Sequence, residues 1–157
     1  MAIERGSLLR RLWRRRVDLP LVAEAVCRLT TARLRLKRQP FQQIAQRLIG
    51  PVEAQKASAS AFFPRRVRWA VLAAARRVPW RSVCFDQAIA AQQMLGRRGI
   101  VADLVYGVRQ SEAGLDAHVW LRLADGWIVV GGEQAPLFHP IALFRPGRED
   151  VSLSSMT

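Results

Sequence analysis

The chain has 157 residues, half of them apolar, enough to bury the core of one ordinary domain without disulfide or metal staples. Its two cysteines, Cys27 and Cys84, stand 57 positions apart with no metal-ligand spacing, which argues against a disulfide framework or zinc site and suits a reducing cytoplasm. The net charge of +13 is confined to one half: residues 1–80 carry 18 Lys/Arg against 4 Asp/Glu, and residues 81–157 carry 7 against 8. A basic surface suits nucleic acid, an anionic membrane face or an acidic protein partner, and composition does not choose among them.

The basic start, residues 1–16, is followed by no uninterrupted apolar run, since Asp18, Pro20, Glu24 and Arg28 break it, so neither a signal peptide nor a membrane span is expected. Apolar residues at helical intervals predict helix over 7–36, with a break at 18–20 where Pro20 interrupts the pattern. Cys27 falls beside Val26 and reads as core filler. A short amphipathic helix, 40–49, ends at Gly50-Pro51, and 52–60 reads as a polar loop. Residues 64–80 predict another helix, started by Pro64 and stopped by Pro79, with arginines at both ends. Of its aromatics only Trp69 could serve a nucleic-acid surface, so a solvated or partner-facing helix is the favoured reading.

Residues 79–100, PWRSVCFDQAIAAQQMLGRRGI, predict the central helix, with Ser82 as N-cap, Cys84 at the second helical position and Gly96 or Gly99 as the stop. At that position the positive end of the helix dipole and the free N–H groups stabilise a thiolate, and the same donors can receive an oxyanion. A small buried hydrophobe is the plain alternative for Cys84. Asp86 reads as a helix-dipole carboxylate, and Gln87 and Trp80 are near enough to help at the site.

The period then changes to alternation. Strands are predicted over 101–109, 117–123 and 127–130, joined by a loop at 110–116 and a two-residue turn at Asp125-Gly126. Residues 131–144, broken by Pro136 and Pro140, either pack irregularly or end in an edge strand, with His139 structural, and 145–157 reads as a poorly ordered tail. Helices first and a small antiparallel sheet second give an α+β fold in one domain, with a basic helical region at 1–64.

His118 lies near the start of the second strand, on one face with Trp120 and Arg122. A cysteine at a helix N-terminus, then a strand, then a histidine on the adjoining strand is the order of papain-like and transglutaminase-like enzymes, where the imidazole takes the thiol proton. With a two-residue turn, paired positions sum to 251, which sets Glu133 opposite His118 as the group that holds its tautomer, provided no bulge at Gly131-Gly132 intervenes.

The runs CFDQAIAAQQMLGRRGIVADLVYGVR and AHVWLRLADGWIVV resemble the leader peptidases of lasso-peptide biosynthesis, of the transglutaminase-like type that processes microcin J25, across roughly residues 65–144. The resemblance implies a cysteine protease that removes the leader from a ribosomally made precursor peptide, with Cys84 as nucleophile and His118 as base and with no cofactor. The family's acidic residue near the end of the strand after the hairpin falls here at about Gly131, which leaves Glu133 as the third member to test. Fused versions carry a leader-recognition domain, for which 157 residues leave no room, so the resemblance implies a stand-alone peptidase. Its partners would be the precursor peptide, a separate leader-recognition protein and an ATP-dependent macrolactam synthetase, in the cytoplasm and without nucleic acid. A basic nucleic-acid-binding module and a non-catalytic scaffold of the same fold are the alternatives.

Overall fold

The computed structural model describes residues 3–49 and 62–147. Four helices, α1 (Ile3–Arg38), α2 (Phe41–Ile49), α3 (Phe63–Ala75) and α4 (Cys84–Gly96), precede the strands β1 (Ala102–Ser111), β2 (Gly114–Leu123), β3 (Ile128–Val130) and β4 (His139–Phe144). All strand pairs are antiparallel, in the order β3-β2-β1-β4, so the fold is α+β as the sequence predicts. The polar loop predicted at 52–60, most of the tail from 145 and the side chains of residues 3–17 lie outside what is described.

The expected break at 18–20 does not occur: α1 runs unbroken through Pro20. A proline inside a helix costs about 3 kcal/mol. Here that local cost is outweighed by Leu21, Ala25, Leu29 and Ala32, which form a buried stripe against α3 and α4. Each fully buried leucine contributes about 1.5–3 kcal/mol. The same stripe turns Cys27 outward, so it is exposed and not core filler.

Helix α3 starts at Phe63 with Pro64 in its first turn, as expected, but ends at Ala75, short of Pro79. Its Val67, Ala70, Val71 and Ala74 bury one face, and Arg66 on its flank pairs with Asp18 of α1 at 2.7 Å. For α4 the N-cap is Val83 and not Ser82, which puts Cys84 at the first helical position rather than the second. Valine has no side-chain acceptor, so the reciprocal half of a capping box does the work: the Val83 N–H donates to Asp86 Oδ2 at 3.2 Å. Gly99, at φ +71°, supplies the stop, and the Ile100 N–H closes onto the Leu95 carbonyl.

The loop expected at 110–116 is much shorter. Strand β1 continues to Ser111 and β2 begins at Gly114, because Arg109 and Asp116 pair across the strands at 2.9 Å and Ser111 Oγ donates to the Gly114 carbonyl. These charged, exposed strand ends look like loop when only apolar alternation is counted. The second turn holds three residues, not two: Leu123 N–H bonds Trp127 O, Gly126 N–H bonds Leu123 O, and Gly126 sits at φ +86°. After β3 come a short 3₁₀ turn (Ala135–Leu137) and β4, an edge strand against β1, which resolves the two expectations for 131–144.

The helices cover one face of the sheet, where Leu104, Val119, Leu121, Val130 and Phe144 join the core. On the other face Val105 and Trp120 pack with Ala135 and Phe138 from the returning segment. Two results position the site: α4 packs on β2 with Cys84, at its start, and His118 lining one cleft, and β3 pairs with Leu121 and Arg122, so that among the described residues the flank of β2 beside His118 has no strand.

Candidate active site

A cleft of about 220 Å³ opens at that flank, lined by Arg68 and Leu72 of α3, Cys84 and Gln87 of α4, His118 of β2, and residues 131–134. It brings together Cys84, His118 and Glu133, which the sequence singles out. Cys84 is half-buried at the first position of α4. The first-turn N–H groups of a helix have no intrahelical acceptor, and they carry the positive end of its dipole.

His118 alternates onto the far face of β2 with Trp120 and is 7% exposed. Its ring stacks on Trp120, with centroids 6.0 Å apart, and tilts against Phe138 at 5.1 Å. Its Nε2 lies 2.8 Å from the carbonyl oxygen of Gly131. A carbonyl can only accept, so Nε2 carries the proton, and the lone pair of the neutral ring is on Nδ1. The tautomer is thereby fixed by the main chain.

Glu133 borders the cleft but is exposed, and no hydrogen bond joins it to His118 among the described residues. The ladder that would set it opposite His118 ends at Val130, after a register shift between Leu121 and Arg122. Gly131 then turns the chain at φ +79°, so close to β2 that an added Cβ would lie 2.6 Å from the Val119 carbonyl oxygen. The sequence flags Gly131-Gly132 as a bulge but gives no sign that the Gly131 carbonyl would reach the imidazole. It also gives no sign that Arg68 and Leu72, predicted on a solvated helix, would wall the cleft.

Asp86 stays out of the cleft. It is fully buried, and burial raises its carboxyl pKa, opposed by the Val83 N–H and by Arg33 of α1, whose Nη1 is 3.8 Å away. It acts on the site only through the N-terminus of α4, as a helix-end carboxylate. Gln87 Nε2 donates to the Ser82 carbonyl and so ties the entry segment to the helix. Trp80 does not line the cleft, and His139 is exposed at the start of β4.

A second pair supports the ring packing from behind. Arg109 lies 4.8 Å above the Phe138 ring while pairing with Asp116, whose pKa is lowered chiefly by that hydrogen bond. Among the described residues no group of three or more His, Cys, Asp or Glu side chains could hold a metal ion, and no helix is long and apolar enough to cross a membrane.

Among known protein families, residues 26–142 match the one described as the transglutaminase-like superfamily. No curated protein and no solved structure matches the chain.

Proposed function

Because the chain belongs to the transglutaminase-like superfamily, we propose that its Cys84 and His118 form the catalytic pair of a cysteine peptidase. The observation that carries this reading is the shared cleft, with a cysteine opening a helix and a histidine whose protonated nitrogen is committed to a carbonyl. In the mechanism His118 Nδ1 takes the thiol proton as Sγ attacks the peptide carbonyl. The oxyanion is received by first-turn N–H groups of α4. The imidazolium then protonates the departing amine, leaving a thioester, and Nδ1 draws a proton from the water that hydrolyses it and returns the thiol. The Gly131 carbonyl holds the ring throughout, and Glu133, which lines the cleft, is the proposed third member of the group.

The finer reading, supported by the LGRRGI, YGVR and AHVW runs, is a leader peptidase of lasso-peptide biosynthesis. It receives the precursor from a separate recognition protein and passes the core peptide to a macrolactam synthetase. The test is cleavage of precursor in the presence of the recognition protein. Wild type should release leader and Cys84→Ala should release none, and equal cleavage by the two would end the proposal.

One observation favours a second reading. The acceptor on His118 is a carbonyl and not a carboxylate, as in a scaffold that has kept the fold and lost the chemistry. Alkylation of Cys84 no faster than an ordinary thiol would support the scaffold.

A further inference from the structure

Helix α3 buries Val67, Ala70, Val71 and Ala74, and the face directly opposite carries Arg65, Trp69 and Leu72 and is continued by the C-cap residue Arg76. Trp69 is 49% exposed, and Arg65 and Arg76 are exposed. Leu72, with Arg68 on the flank, also lines the cleft that holds Cys84, so this face and the cleft are continuous.

Among the described residues its charge is largely uncompensated. The first turn of α3 contains no acidic residue, although Arg65 and Arg66 sit at the positive end of the helix dipole, an arrangement that works against the helix. Arg66 is relieved by Asp18, whereas no carboxylate pairs with Arg65, Arg68 or Arg76 among the described residues. A cation at the helix N-terminus, Arg65, and another at the C-cap, Arg76, with an exposed indole between them and no carboxylate partner among the described residues, are complementary to an anion from outside.

We propose that this face of α3 is the docking track for an acidic segment of the peptide substrate, which it aligns beside the cleft. The proposal rests on the reading of the cleft as a peptide-cleaving site. From Arg65 to Arg76 the helix rises about 16 Å, the span of about five extended residues. The matching segment therefore carries carboxylates at its two ends, for Arg65 and Arg76, and an apolar side chain between them, for Trp69 and Leu72. Arg68, whose Nη1 donates to the Val129 carbonyl at 2.8 Å, fixes this flank of α3 to β3 and lines the cleft. A peptide is favoured over nucleic acid because the track runs into the proposed peptide-cleaving cleft and offers one exposed aromatic, Trp69, where a nucleic-acid surface would interleave several with its cations.

The test measures binding alone, on Cys84→Ala protein, so that it stands apart from cleavage. A fluorescein-labelled pentapeptide with glutamate at both ends and a central leucine is titrated by anisotropy against its glutamine twin. The acidic peptide should bind about 10-fold more tightly, and the preference should fall several-fold between about 50 mM and about 500 mM salt. It should shrink to about twofold or less in Arg65→Ser/Arg76→Ser, whose melting by circular dichroism should match that of the parent. Equal binding of the two peptides, or a preference that survives the double substitution, overturns the proposal. So does tighter binding of oligothymidylate that depends on the same arginines, which would make the track a nucleic-acid surface. Loss of cleavage activity in the native enzyme with the acidic preference intact would instead count against the peptidase reading only.

Discussion

Replacing Gly131 by alanine should loosen the fold and the imidazole together. At φ +79° an L-residue bears about 1–2 kcal/mol of backbone strain. The added Cβ would also lie 2.6 Å from the Val119 carbonyl oxygen and 3.0 Å from both Cα and Cβ of Trp120, contacts with main chain that no rotamer change relieves. Overpacking of this kind costs about 1–3 kcal/mol, so the total is about 2–5 kcal/mol. In a chain of this length that lowers Tm by about 4–20 °C. Gly126→Ala is the control: its φ of +86° is equally left-handed, but nothing lies within 4 Å of the new Cβ, so it should show the backbone cost alone. Urea denaturation of both variants separates strain from contact. Nitrogen-15 NMR of the imidazole should find the Nε2 proton of the parent protected by the Gly131 carbonyl, and that protection lost in Gly131→Ala. If Gly131→Ala costs no more than Gly126→Ala, the close approach of the Gly131 segment to β2 is wrong, and with it the origin of the tautomer.

The buried carboxyl of Asp86 should give stability an unusual pH dependence. Its folded pKa lies above the ordinary 3.8, so the native state binds the proton more tightly than the unfolded chain does. That contribution is fully present below the unfolded value and is lost as pH rises through the folded one. Asp86→Asn should therefore gain stability relative to wild type as pH rises above the ordinary carboxylate pKa, as read from urea midpoints, and a difference that stays flat with pH would sink this account. At the other end of the fold, Arg145 is bonded through Nε and Nη2 to the two oxygens of the buried Asp103. Arg145→Ala should cost about 1–3 kcal/mol by leaving that carboxylate unpaired, while Asp103→Ala/Arg145→Ala should cost less than the two single changes together. Strict additivity in that cycle would show that the pair carries no coupling.

What could be read from the sequence was local and periodic. The helix from Cys84 and the strand through His118 are visible because apolar period, turn residues and composition agree at both, and the pair is recognisable by its order in the chain. Pro20 misleads because the rule that proline ends a helix is local, whereas the packing of Leu21, Ala25 and Leu29 that overrides it is not. Ser82 misleads in the same way: it is the better N-cap by type, yet Asp86 fixes the helix start one residue later by taking the Val83 N–H. For Cys27, adjacency to Val26 misleads, whereas the spacing of Leu21, Ala25 and Leu29 puts it on the outer side of α1.

The partner of His118 was lost for a different reason, one that bears on the chemistry. The second hairpin contains two one-residue irregularities that offset each other. The three-residue turn pairs Arg122 with Ile128, one step away from the predicted register, and the bulge before Leu121 restores it, so Leu121 meets Val130 as the simple count requires. Continued three residues further, that count would put Glu133 beside the imidazole. The chain turns away first, because Gly131 is the residue type that can take φ +79° against the backbone of β2, and the group left beside Nε2 is its own carbonyl. A carbonyl orients the ring as a carboxylate would but adds no charge to stabilise the imidazolium. If Cys84 and His118 act as proposed, the Cys84 thiolate is the counter-charge of the imidazolium and any further contribution comes from Glu133 on the cleft lining, so Glu133→Gln should lower kcat while leaving the fold untouched, since Glu133 is exposed. An unchanged kcat would leave the Gly131 carbonyl as the group that serves His118 without Glu133.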